Sequence, residues 1–355
     1  MKRLLAIILM TFALVACSSG GNEKAGTGNT ENTQNTKEAN TTVSEQTEGK
    51  KAKGTITLYT SQPEEDAKKL VDGFKKVYPE ADVVVFRSGT EELVSKILSE
   101  KEVNALQADV VLVADTVTFE ILKEKDILDK YVSPELDGLN EKFYDKENYY
   151  AGTKIISTGI IQNTDIYSGE VKGFKDLISP ETKSQTIMPS PLYSGAAAYN
   201  LSLLTRTDGI GWDFYKGLKD NDILVDKGNG AVQKSVVSGQ KGLGIIVDYM
   251  ANRSKKEGAP VEFIYPEEGS PIVTEPVGIV KGSKNLEAAQ AFYDYIISKE
   301  GQELAASMGY TPIREDIEAP EGLKSAKELN ILSGDDKVLL ENREADKEEF
   351  SKIFQ

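Results

Sequence analysis

Two short runs in this chain set small and hydroxyl-bearing residues where binding chemistry is possible. Ser194, Gly195 and Ala196 form one, and Gly228, Asn229, Gly230 and Ala231 form the other. Each leads into a stretch of helical periodicity, so each is predicted to sit at a helix start. The first N–H groups of a helix have no partner within it, and the positive end of the helix dipole lies there. Side chains this small let the oxygens of an anion approach those amides. Ser194 and Asn229 would serve equally as plain helix caps, because capping selects the same residue types. A third run, Arg87, Ser88, Gly89 and Thr90, follows a predicted strand. Arg87 can hold a phosphate through a bidentate contact or stand as a solvated charge, and Ser88 with Glu91 has capping-box spacing. Ser61, Asp115 and Thr116 occupy similar turns after other strands. Asp248, with Tyr249 beside it, and Glu275 can accept hydrogen bonds from hydroxyl or amine groups of an organic phosphate or phosphonate. The competing roles are a helix cap for Asp248 and a solvated hinge charge for Glu275.

Composition removes most catalytic chemistry. The chain has 355 residues, no histidine and one cysteine. There is therefore no Ser-His-Asp triad, no Cys-His dyad and no imidazole metal ligand. A single cysteine forms neither an internal disulfide nor a thiolate zinc site. The sequence carries no nucleophile elbow, P-loop or zinc motif, so no enzyme class and no cofactor is indicated; a hydrolase with a carboxylate pair is only a remote alternative. The net charge of −15 argues against nucleic acid as a partner, since duplex affinity comes mainly from Lys and Arg on phosphates.

The elements that must position these residues begin after a leader. Lys2 and Arg3 precede the apolar run Leu4 to Val15, which is too short for a comfortable membrane span. Residues 1–16 are predicted to be a signal peptide. The following Cys17, in Leu14-Val15-Ala16-Cys17, resembles the bacterial lipobox and is the expected lipidation site, with membrane contact through that anchor only. Residues 17–53, rich in Gly, Asn, Thr, Glu and Lys, are expected to be a disordered tether.

From Gly54 the pattern alternates between strand and helix. Strands are predicted at Thr55–Thr60, Asp82–Phe86 and Asp109–Val113, each followed by a helix; Ser61 to Glu64 has capping-box spacing at the first. The apolar runs Val83–Val85 and Val110–Val113 read as buried parallel strands. Extended crossings follow at Tyr150–Ile161 and Ile272–Lys281, and between them lies a second strand–helix series. Tyr149 and Tyr150 read as core or hinge packing, and Trp212 as core. The fold class predicted is α/β and bilobal, with a cleft at the carboxyl ends of the strands. The expected division is 54–158 plus 272–355 for one lobe and 159–271 for the other. The tail after Arg314 is expected to be helical around Lys337–Glu341 or partly mobile.

The ordered set of motifs resembles a known family. An opening Ile-Thr-Leu-Tyr-Thr-Ser ending at Ser61, the Ser194–Ala196 run, Phe263-Ile-Tyr-Pro-Glu-Glu-Gly-Ser270, Glu287-Ala-Ala-Gln-Ala-Phe292 and Ser298-Lys-Glu-Gly-Gln302 are similar to solute-binding proteins of ABC importers. The branch resembled is the ferric-ion, thiamine, phosphonate and sugar-phosphate type, over roughly Gly54 to Arg314. The resemblance implies a type 2 periplasmic-binding fold, a monomer on the outer side of the membrane, a small anionic solute, and permease and ATPase subunits as partners. It also implies an anion site at Ser194, Gly195, Ala196 and Asn229. Ferric-binding relatives carry adjacent tyrosines where this chain has Tyr249 and Met250; a thioether suits a hard trivalent ion poorly. No resident metal is expected, and iron held by Tyr249 with a synergistic anion is the alternative to a phosphate- or phosphonate-bearing solute.

Overall fold

The computed structural model describes residues 52–355; the expected signal peptide, Cys17 and nearly all of the expected tether lie outside the described residues. In chain order the first elements are β1 (Gly54–Thr60), α1 (Glu64–Val77), β2 (Ala81–Arg87), α2 (Thr90–Glu102), β3 (Val110–Leu112) and α3 (Thr116–Glu124). After the first crossing come β4 (Ile156–Asn163), β5 (Thr186–Pro189), α4 (Gly195–Leu204), α5 (Gly211–Asp220), β6 (Leu224–Asp226), α6 (Asn229–Val237), β7 (Leu243–Val247) and α7 (Asp248–Lys256). The chain ends with β8 (Val261–Ile264), β9 (Ser270–Val273), β10 (Val277–Ile279), α8 (Leu286–Ile297), α9 (Lys299–Ser307), β11 (Ile331–Leu332) and α10 (Asp336–Phe354).

Two sheets result. The first has the order β10-β3-β1-β2, with β1 parallel to β2 and β3, and β10 antiparallel at the edge. The second has the order β11-β9-β4-β7-β5-β6, with β8 also on β4. Parallel neighbours need crossover helices, and those helices cover the sheet faces. In the first lobe, Ile56 and Leu58 of β1 pack with Phe74 of α1 and Phe292 of α8. In the second, Ile160 and Leu243 pack with Leu201 of α4 and Phe214 of α5. Trp212 lies against that second core. Tyr150 is buried and donates to Glu120 at 2.6 Å, consistent with a packing role.

Among the described residues the chain passes between the sheets three times: into β4, between β9 and β10, and after α9 towards β11. Thr153 and Lys154 donate their N–H groups to the Thr274 carbonyl at 2.9 and 3.2 Å, tying the first crossing to the second. Glu275 sits there in the left-handed region, with φ of 40°.

The structure departs from the sequence reading at several points. The run Val83–Val85 belongs to an edge strand: Val84 and Val85 are 56% and 38% exposed, because β2 has a neighbour on one side only. Neither expected capping box forms. The cap of α1 is Pro63 without a side-chain bond; that of α2 is Gly89, and Ser88 instead donates to Glu92. The crossing into the second sheet is complete by Ile156, which pairs with Val273, so residues 156–158 fall on the second lobe. Residues 272–355 do not all belong to the first lobe either: Ile331 and Leu332 pair with β9 of the second sheet. The tail is helical around Lys337–Glu341 as expected, but the helix extends far beyond it as the 19-residue α10, with Leu339, Arg343, Asp346 and Phe350 buried.

Candidate functional site

A cavity of about 310 Å³ lies between the lobes. It sits beyond the carboxyl ends of β1, β2 and β3 on one side and β5, β6 and β7 on the other, where open α/β sheets collect ligands. The first lobe contributes Ser61, Pro63, Arg87, Gly89, Thr90 and Ala114. The second contributes Tyr193 to Ala196, Lys227 to Ala231, and Val247, Tyr249 and Met250. Ile156, Val273 and Glu275 close the hinge side. The starts of α1, α2, α4, α6 and α7 therefore all border one space; Ala197, Glu91 and Tyr249 already donate their amides within the protein, and the helix dipoles with the remaining first-turn amides favour negative charge there.

Side chains at these starts are oriented by hydrogen bonds with a consistent polarity. Ser194 caps α4, its Oγ accepting from Ala197 N at 3.4 Å. The same oxygen accepts from Asn229 Nδ2 at 3.4 Å, while Asn229 Oδ1 accepts from Val247 N at 3.2 Å. A hydroxyl with two accepted bonds has only its proton left to offer. Ser194 thus faces the cavity as a donor. Asn229 occupies the first position inside α6, not the cap, which is Gly228. It ties together the starts of α4 and α6 and the end of β7.

Charge follows the same sense. Arg87, on the wall, donates from Nε to the Gln62 carbonyl at 3.0 Å, which fixes its guanidinium at the end of β2. Lys227 lies 3.3 Å from Glu92 of the opposite lobe and 4.4 Å above the Tyr193 ring. The one carboxylate on the cavity wall, Glu275, is already neutralised. It is buried, ion-paired with the buried Lys154, and accepts from Gln62 Nε2 at 3.1 Å.

The lobes touch closely around this space. Glu91 N donates to the Tyr193 carbonyl at 3.4 Å. A Cβ on Gly195 would lie 2.8 Å from Thr90, and one on Gly89 would lie 2.5 Å from the Tyr193 ring. Glycine at both positions permits the approach.

The second-lobe tyrosine is part of a packed stack. Tyr249 lies 4.3 Å from the Tyr310 ring, and the Arg253 guanidinium is 4.7 and 4.9 Å from the two ring centres. Arg253 and Tyr310 both reach Asp66 of α1, at 2.8 and 2.6 Å. Burial, with Glu275 adding to it, pushes the Tyr249 phenol above its ordinary range and opposes phenolate formation, though Tyr310 and Arg253 pull the other way. Among the described residues no group of three or more His, Cys, Asp or Glu could hold a metal ion.

Four expected residues stand outside the lining. Asp115 is fully buried and caps α3, accepting from Thr118 N at 2.7 Å and pairing with Arg343 at 3.0 Å. Its neighbour Ala114 reaches the cavity instead, and Thr116 and Ser88 are not on the wall. Asp248 is buried behind the wall, where its Oδ1 accepts from Tyr249 N at 2.8 Å. Burial raises its carboxyl to about 7, against the lowering effect of the backbone amides of Tyr249, Ser157 and Asp248 itself. Conversely, the sequence reading missed Tyr193 and Lys227. Both immediately precede the small-residue helix starts, so extending those two runs backwards would have found them.

Residues 60–303 match the profile of the family described as bacterial extracellular solute-binding protein. The Fe(3+)-binding periplasmic protein of Serratia marcescens is 25% identical over 70% of this chain and 75% of its own length. The spermidine/putrescine-binding periplasmic protein 1 of Haemophilus influenzae is 29% identical over 57% of this chain and 58% of its own length. Among solved structures, the periplasmic binding protein AfuA of Actinobacillus pleuropneumoniae, with exogenous fructose-6-phosphate bound, superposes with a TM-score of 0.79 at 24% identity. That match covers 85% of this chain and 99% of the other. The similar proteins thus carry a metal ion, a polyamine or a sugar phosphate in their names, and similarity alone selects none of them. Among the described residues, no helix is long and apolar enough to cross a membrane.

Proposed function

Because this chain belongs to the bacterial extracellular solute-binding proteins, whose members bind small solutes for ABC importers, we propose that its own solute is a small phosph(on)ate-bearing molecule. The observation that carries this reading is the polarity of the cavity: donors and cations point in, and the wall's one carboxylate is already paired with Lys154. Five helix starts, the Ser194 proton, Arg87 and Lys227 suit the oxygens of a phosphate or phosphonate. A polyamine would meet the same groups with the wrong sign. The cavity volume of about 310 Å³ leaves room for an organic portion, which Tyr193, Tyr249 and Ser61 would border. Binding is capture: lobe closure adds contacts from Thr90 and Arg87 to those already made by the second lobe, shifting an open–closed equilibrium without a covalent step. The lipid anchor expected at Cys17 would keep the protein near its permease.

Calorimetric titration with fructose 6-phosphate, glycerol 3-phosphate, 2-aminoethylphosphonate, fructose and spermidine tests the reading. Binding of at least one phosph(on)ate, with none of fructose or spermidine, is the expected result. Binding of spermidine alone would overturn it.

A second reading, ferric iron with a synergistic anion, draws on Tyr193 and Tyr249 both bordering the cavity. Met250 beside Tyr249 and the raised phenol of Tyr249 weigh against it. Ferric citrate is accordingly expected to produce no tyrosinate charge-transfer band in the visible spectrum.

A further inference from the structure

We propose that Arg343 is a positioning residue for closure, and that α10 is a latch joining the two lobes through it. The helix packs on α3 of the first lobe and on α4 and α5 of the second. Its side chains reach partners in both lobes. Arg343, 2% exposed, donates from Nη2 to Glu91 Oε1 at 2.6 Å and to Asp115 Oδ2 at 3.0 Å. Lys347 reaches the other Glu91 oxygen at 2.7 Å. Glu91 and Asp115 directly follow Thr90 and Ala114, which line the cavity, so the first turns of α2 and the cap of α3 are clamped from behind.

Contacts with the second lobe interleave with these along the same helix. Asp346 makes a bidentate pair with Arg206 at the end of α4, at 2.6 and 3.1 Å. Phe350 is buried in the second-lobe core against Tyr215. One turn before Arg343, Leu339 shares one apolar cluster with Val117 of α3 and with Tyr199 and Leu203 of α4.

Arg343 and Phe350 are two helical turns apart, roughly 10 Å along one continuous rod. Rotation about the crossings carries α2 and α3 away from α4 and α5, and a rigid helix cannot follow both. Opening must therefore break either the Arg343 cluster or the Asp346–Phe350 seat. The seat combines core burial with a bidentate pair, whereas the cluster is polar and regains solvation on opening, so the Arg343 side is the one that releases. Closing the cleft and forming the Arg343–Glu91–Asp115 cluster are then one event, whatever solute is enclosed.

The test measures interlobe distance without any ligand, so it stands apart from the phosphate reading. Spin labels are placed through Val103→Cys at the end of α2, 71% exposed, and Asp213→Cys in α5, whose side chain is 94% exposed; Cys17→Ser removes the one native thiol. Pulsed dipolar spectroscopy of the full chain is expected to show a distribution that Arg343→Met shifts outward by several ångström. Circular dichroism verifies that the variant is folded. Should Arg343→Met fail to fold, Arg206→Gln, which loosens the partly exposed second-lobe seat, is read in its place and is expected to lengthen the distance likewise. A folded variant whose distribution coincides with that of the parent overturns the proposal.

Discussion

Asp248 gives the most direct quantitative test, because its behaviour depends on burial and on no assumption about the solute. Its carboxyl is 1% exposed, and burial raises it from 3.8 to about 7. It stands at the first position of α7, where the helix start should favour the anion, and its neighbours Ser157 and Tyr249 offer amides. Burial outweighs them, since among the described ion pairs none involves Asp248. The sign follows from linkage. A folded-state value above the unfolded one means that the folded chain holds its proton longer. Stability from this group is full below pH 3.8 and declines as pH rises towards about 7. At about 1.36 kcal/mol per unit the whole effect is about 4 kcal/mol, of which roughly 1 is already lost at pH 4.5. Asp248→Asn removes the titration while keeping the shape. Urea unfolding of the parent and the variant is measured at pH 4.5 and pH 8. The stability difference, variant minus parent, should move in the variant's favour by about 3 kcal/mol between the two pH values. Any fixed cost of the amide cancels in that double difference. A change smaller than about 0.5 kcal/mol would refute the argument that Asp248 is buried without a compensating charge.

Three further outcomes concern binding, read by calorimetry with whichever phosph(on)ate titrates. Gly195→Ala puts a methyl 2.8 Å from Thr90, so closure should cost about 1–3 kcal/mol and weaken binding about 5- to 150-fold, while the melting temperature stays within a degree or two. Ser194→Ala removes a charge-assisted donor and should weaken binding by about 10-fold or more, whereas loss of a cap alone would lower stability and leave affinity unchanged. Lys227→Met is expected to weaken binding only about 2- to 5-fold, because the ammonium is largely exposed, and to flatten the salt dependence of affinity.

Much of this molecule was legible in the residues themselves. The strand–helix alternation, the two crossings, and the starts of α4 and α6 follow from short-range patterns of apolar periodicity and small residues. The Ser194 and Asn229 positions were readable because a helix start is a local event; what was hidden was their mutual bond, 35 residues apart in sequence. Exposure of Val84 and Val85 could not be read, since an apolar strand looks the same in the centre of a sheet or at its edge. Asp115 and Asp248 illustrate the same limit: a carboxylate after a strand has the right type and place for a ligand contact, and a rotation of one bond decides whether it faces the cavity or the core.

By itself, the sequence determined the fold class and the strand ends that border the cleft, because both arise from contacts within a few residues or from periodicity. It also excluded imidazole chemistry, since histidine is absent, and disulfide or thiolate-zinc chemistry, since one cysteine is too few. The tertiary structure decided which charges remain available. Glu275 is silenced by Lys154, Asp115 and Glu91 by Arg343, and the tail that looked incidental becomes a helix across both lobes. Those pairings span 121 to 252 residues, and no local pattern announces them: they exist because two lobes and a terminal helix are packed closely enough that a buried charge must find its opposite.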